Sequence, residues 1–266
     1  MQAISRKAVL AAALVALGAI PTHGAGQIEN APPSDGQTFA LEVWKPFFDQ
    51  FDEGFTTSVL RGRLLYPAWE GGHLIADLSL AHGRAFGESS WTLSNPEVGV
   101  AFAGAGAHPA GEVTVMLPLA REFGGDDFGT GIGLLHDATR VERFIEDIWS
   151  VNGAYTPSFA LDGGAVVGLR LGGAVLFPDG QDTELFARYG ASVAGTSDRI
   201  RLGGEVTGTA IVSQSDLSFN ERTIHQMTLL LGIERDGLVP DLLIRVPLES
   251  SVRDAMPVSV GVRLTF

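Results

Sequence analysis

From Phe55 to the C-terminus, apolar and polar residues alternate with a period close to two. In "DRIRLGGEVTGTAIV", Ile200, Leu202, Val206, Ala210 and Val212 share one face, while Arg199, Arg201, Glu205, Thr207 and Thr209 share the other. "GAVVGLRLGGAVLF" sets Val167, Leu169, Leu171, Val175 and Phe177 against Gly168, Arg170 and Gly172. "TELFARYGASV" and "LVPDLLIRVPLES" repeat the pattern, with Glu184 and Arg188, and then Asp241, Arg245 and Glu249, on the polar side. Successive side chains of a strand point to opposite faces, so sustained alternation predicts strands.

The strands expected are 55–66, 73–84, 96–105, 111–121, 150–161, 164–177, 183–194, 199–213, 223–234, 238–249 and 256–266. "TFALEVW" (38–44) alternates more weakly and is a candidate twelfth. "FPDGQD" and "RDG" supply tight turns, and "REFGGDDFGTGIGLL" reads as a glycine-rich loop. Val141, Phe144, Ile145 and Ile148 recur at helical spacing, which predicts a short amphipathic helix near 138–149.

Two features separate this pattern from a soluble sandwich. The strands run to about 10–14 residues, whereas about 5–6 is the soluble mode. One face is almost purely aliphatic or aromatic, and the other mixes Gly, Ser and Thr with isolated charges. In a transmembrane barrel the apolar face meets lipid and the polar face lines the lumen. The expected fold is therefore all-β, a single antiparallel up-and-down transmembrane barrel of about 12 strands (about 10–14), since single-chain bacterial barrels carry even strand numbers. A soluble periplasmic sandwich is the competing architecture.

Composition supports a barrel. The chain has 266 residues, is 45% hydrophobic and only 18% charged, with 34 glycines and a mean hydropathy of +0.19. Beyond the N-terminus no apolar run reaches the ~18–20 residues of a membrane helix. A net charge of −13 and just two lysines argue against a nucleic-acid partner. The absence of cysteine removes disulfides and thiolate chemistry. His23, His73, His82, His108, His136 and His225 form no metal-binding motif, so neither metal nor cofactor is expected.

Arg6 and Lys7 precede the apolar run Ala8–Ile20, then Pro21 and small residues at Gly24, Ala25 and Gly26. That is the layout of a secretory signal peptide. The expected organisation is a signal peptide (1–25), a lead-in (26–54, with 38–44 as a candidate first strand) and a barrel (55–266), placed in the bacterial outer membrane.

In "PVSVGVRLTF" the apolar residues Val258, Val260, Val262, Leu264 and Phe266 alternate up to a terminal aromatic. This ending resembles the C-terminal signature of bacterial outer-membrane proteins, which implies recognition by the barrel-assembly machinery. "LSNPEVGVAF" followed by "VTVMLPLA" is similar to the family annotated for the meta-pathway of phenol degradation, a set of outer-membrane transporters. The matching residues are Asn95, Pro96, Gly99, Leu117 and Pro118; that family continues with Thr-Gly where this chain has Leu119 and Ala120. The resemblance implies a transporter and carries no catalytic residues.

Arg61, Arg63, Arg170, Arg188, Arg199, Arg201, Glu205, Glu234, Asp241, Arg245, Glu249 and Arg263 are the candidate lumen-lining residues, with Glu112 and Glu184 beside them. They read either as a charged constriction that selects solutes or as an ion-pair network filling a narrow barrel. Trp44, Trp69, Trp91, Trp149 and Tyr66 are candidates for interfacial aromatic girdles. The function expected is a passive channel or uptake porin for small, hydrophobic or aromatic solutes, with membrane lipid as its surroundings. The alternatives are a structural or adhesive barrel and a lipid hydrolase. A hydrolase would need Ser213 or Ser215 with His225, which lack a nucleophile-elbow motif.

Overall fold

The computed structural model describes residues 37–47, 56–85, 88–103, 109–124, 128–136, 140–161, 165–197, 199–214, 218, 222–233, 238–255 and 258–266. The signal-peptide residues, Ser215 and Glu234 lie outside them. The strands are β1 (Thr38–Phe47), β2 (Thr56–Trp69), β3 (Gly72–Ala85), β4 (Glu88–Leu93), β5 (Glu97–Ala103), β6 (Pro109–Met116), β7 (Arg121–Gly124), β8 (Ile148–Tyr155), β9 (Ser158–Ala160), β10 (Ala165–Pro178), β11 (Glu184–Ser197), β12 (Ile200–Ile211), β13 (Thr223–Ile233), β14 (Val239–Pro247) and β15 (Val258–Thr265). Two helices, α1 (Phe128–His136) and α2 (Ser250–Ala255), and a 3-10 turn (Val141–Arg143) complete the described elements.

All pairings are antiparallel and the sheet closes on itself: β1 bonds to β15 on one side and β2 on the other, and β2 also pairs β3. β4 and β5 pair the two halves of β3, so they are one wall strand broken at 94–96. β6 and β7 are likewise one strand broken at 117–120, and β8 and β9 one broken at 156–157. Counting each broken pair once gives twelve wall strands. The closed antiparallel barrel expected from the alternation is the one observed.

The alternation sets which face is in and which is out. Leu171 is 61% exposed while its neighbour Arg170 is 4% exposed, and Val262 is 48% exposed beside Arg263 at 4%. Polar side chains face the interior and aliphatic ones the exterior, the inverse of a soluble barrel. An exterior this apolar is stable in a bilayer, not in water. Phe39, Tyr66, Trp69, Phe102 and Phe266 ring one end, and Phe47, Trp91, Phe123 and Trp149 the other. The former end carries short turns such as 70–71; the latter carries the longer connections, including 125–147.

Three expectations change. The barrel begins at Thr38, not Phe55, because β1 is a full wall strand. Its weak alternation arises from Glu42 and Trp44 both pointing inward while Phe39 and Val43 point out. Trp44 is therefore a lumen residue, not part of a girdle. The helix sits at 128–136, ahead of the expected 138–149, where among the described residues only the 3-10 turn forms before β8 starts at Ile148. The carbonyls of Glu142, Ile145 and Ile148 lie within reach of the Asn95 amide, which draws this segment away from a continuous helix. Asp147 then takes a positive φ of 59°, which ends the turn.

Candidate functional site

Between β7 and β8, residues 128–136 and 140–147 fold into the barrel and meet its wall on several sides. On one side, Arg143 Nη2 binds Glu97 of β5 at 2.8 Å and Asp77 of β3 at 3.3 Å. Arg140 Nη2 binds the same Glu97 at 2.8 Å, and its Nε binds Glu142 at 2.7 Å. Glu142 reaches the other way, to Arg188 of β11 at 2.6 Å. At the end of α1, the His136 ring lies 5.1 Å from Trp44 of β1, and its carbonyl accepts a bond from Arg245 of β14 at 3.2 Å. Arg245 also stacks on Trp44, 4.2 Å from the ring. Contacts to β3, β5, β11, β14 and β1 make this segment a plug braced across the lumen.

The wall members of this set, Trp44, Asp77, Glu97, Arg188 and Arg245, are inward because they occupy the inward parity of their strands. The charges are nearly fully buried: Glu142 is 0% exposed, Arg143 2% and Arg188 4%. Burying an ion is costly unless it is paired and hydrogen-bonded, and the wall supplies the partners. Arg61 is salt-bridged to Asp77 and lies 3.5 Å from Glu42, which also accepts the Trp44 indole N–H at 2.9 Å. Glu112 bridges Arg63 at 3.1 Å and Arg170 at 2.5 Å. Asp241 holds Arg263 at 2.6 Å and Arg201 at 3.6 Å. Thr114 donates to Glu97, and Asn152 accepts from Arg188 at 2.7 Å.

Asn95 ties the plug to the breaks in the wall. Its amide nitrogen is 2.8 Å from the carbonyls of Glu142 and Ile145 and 3.3 Å from that of Ile148, and its Oδ1 accepts from the backbone N–H of Ala120 at 2.5 Å. Its own N–H donates to the Arg143 carbonyl at 2.5 Å. One side chain thus holds the interruption between β4 and β5, the interruption between β6 and β7, and the plug. The Leu117 N–H donates to the Pro96 carbonyl at 2.9 Å, joining the two breaks directly. Gly99 is required where β5 meets β6: a Cβ there would stand 2.1 Å from the Val113 carbonyl oxygen.

Of the candidate lumen residues, Arg61, Arg63, Arg170, Arg188, Arg201, Glu205, Asp241, Arg245 and Arg263 are buried inside. Arg199 is exposed in the turn between β11 and β12. Glu249 follows β14 and turns to the outer face, where His225 Nδ1 lies 2.7 Å from it and Tyr189 Oη lies 2.7 Å from His225 Nε2. Ser213 bonds to Glu184, not to His225. Residues 140–143 of the plug carry no strand alternation, and sequence reasoning missed Arg140, Glu142 and Arg143; three charges packed into "ATRVERF" were the signal. Val258, Val260, Val262 and Leu264 face outward, and Phe266 exchanges backbone hydrogen bonds with Phe39 at 2.9 and 3.2 Å.

A closed antiparallel barrel with an apolar exterior, two aromatic girdles and a polar, charge-paired lumen defines the class: a membrane-spanning β-barrel of the outer-membrane type. No protein-family profile and no curated sequence matches the chain. Among solved structures, it is similar to the COG4313 outer membrane channel from Pseudomonas putida F1, with 13% identity over 92% of this chain and 98% of that one and a TM-score of 0.54. It is also similar to the translocator domain of the autotransporter NalP from Neisseria meningitidis, with 9% identity over 90% and 91% of the two chains and a TM-score of 0.55. At such identities the likeness is one of fold.

Proposed function

We propose that this protein is a bacterial outer-membrane channel for small solutes, closed at rest by the braced segment 128–148. The carrying observation is that a separate stretch of chain, held by ion pairs and by Asn95, occupies the lumen. Barrels of about eight strands can fill their interiors with wall side chains, whereas wider ones leave a lumen. This one adds a plug that belongs to none of the wall-strand ladders, as a gate requires. Among the described residues, nine buried arginines face eight inward carboxylates in the lumen, Glu42, Asp77, Glu97, Glu112, Glu122, Glu142, Glu205 and Asp241, although the chain carries −13 overall. That slight excess of arginine favours small anionic solutes, since pore-lining charge sets selectivity. The resemblance carried by Asn95, Pro96, Gly99, Leu117 and Pro118 favours aromatic or hydrophobic ones, and an aromatic carboxylate such as benzoate satisfies both.

The reading contains no chemical step; Ser213 and His225 each have other partners. Refolded protein in planar bilayers tests it. The wild type should show low conductance, and Glu142→Ala, which cuts the plug's bond to Arg188 of β11, should raise it severalfold and pass benzoate faster than benzyl alcohol. Absence of conductance in both proteins overturns the channel reading.

A further inference from the structure

Charge on the outer face is sorted by sign and by place. Among described strand residues whose side chains point outward, the ionisable ones besides tyrosine are Lys45, His82, Arg84, Arg121 and His225, with no carboxylate among them. His225 is held by Glu249 on the far wall. The other four lie on β1, β3 and β7, all at the end with the longer connections.

Strand register brings them into a row. His82 stands opposite Trp91, and Trp91 opposite Phe123. The His82 ring lies tilted against Trp91 with centroids 4.2 Å apart, and the Arg121 guanidinium lies 5.8 Å over Phe123. Lys45 flanks the other end, with Nζ 6.0 Å from the Phe47 ring and a hydrogen bond to Thr57 at 3.2 Å. Arg84 is one pleat above His82, towards the rim. Trp91 and Phe123 are 43% and 51% exposed, and Arg84 and Arg121 are exposed without a carboxylate contact among the described residues. Towards the barrel middle the same wall is Leu60, Leu78, Leu80 and Leu93.

We propose that this row binds the phosphate-bearing headgroup of a membrane lipid, with its acyl chains lying down the leucine wall. Guanidinium groups match phosphate bidentately, and an aromatic belt marks the headgroup depth. Cations above a leucine wall suit an anionic amphiphile, because its chains hold the phosphate at the row. Free phosphate lacks that hold. The inference rests on the bilayer placement of the barrel, and heat-modifiable gel migration reports that premise separately.

The test uses the folded protein in neutral detergent, with bound lipid A counted by native mass spectrometry. Arg84→Ala with Arg121→Ala should weaken lipid A binding by about tenfold or more. Arg199→Ala, which removes one exposed arginine from the opposite end, should leave binding unchanged, and dephosphorylated lipid A and inorganic phosphate should bind weakly to the wild type. If the double variant migrates as a folded barrel yet binds lipid A as the wild type does, the proposal fails. Equal losses in the double variant and in Arg199→Ala, or equal binding of the dephosphorylated lipid, also overturn it.

Discussion

The two halves of the barrel wall are built differently. From β10 to β15 the wall strands are unbroken, and β10, β11 and β12 pair residue for residue over long stretches. From β3 to β9 three wall strands are broken, and two of the breaks meet at Asn95. The regular half obeys one rule, inward polar and outward apolar. The interrupted half gives up ladder bonds at 94–96 and 117–120 and recovers them through a buried amide side chain and the plug. Where backbone groups leave the ladder inside a membrane protein, other protein groups must satisfy them. The interruptions and the plug are therefore one device.

This contrast can be broken experimentally in several places. The largest effect belongs to Glu142→Ala, which leaves Arg140 and Arg188 without that carboxylate in the lumen; breaking a buried pair costs about 3–5 kcal/mol. Urea unfolding in detergent should show that loss, together with the raised conductance. Next comes Leu171→Arg on the regular wall, where a lipid-facing charge costs about 2–4 kcal/mol near the midplane. It should destabilise the barrel without opening it, which separates wall from plug. Asn95→Ala should cost about 2–3 kcal/mol by leaving buried backbone groups unpaired, and should raise conductance where Leu171→Arg does not. Smallest is Gly133→Ala: its Cβ would lie 2.5 Å from the Phe144 ring, overpacking worth about 1–3 kcal/mol, read as a modest stability loss with a slight rise in open time.

The same contrast explains what the sequence made legible. Period-two alternation placed Arg170, Arg188, Arg201 and Arg263 inside, because a strand within its paired length leaves no other choice. It failed for Arg199 and Glu249, which sit where strands end and parity lapses. In the interrupted half, β4 and β7 are too short to register, and α1 was hidden by the glycines of "FGTGIGLLH". The helical spacing of Val141, Phe144, Ile145 and Ile148 was real as a pattern, but tertiary capture by Asn95 overrode it. Asn95 itself was visible as part of a motif, yet its role needed the three carbonyls that only the fold brings to it.

The central claim is that segment 128–148 is a removable closure. Thr92 of β4 and Thr130 of α1 have their hydroxyls 3.1 Å apart, and the chain has no cysteine of its own, so Thr92→Cys with Thr130→Cys offers a clean lock. Single-channel recording of this pair in the Glu142→Ala background tests the claim directly. The account predicts low conductance when oxidised and severalfold higher conductance after reduction, reversibly. Equal conductance in the two redox states would contradict it.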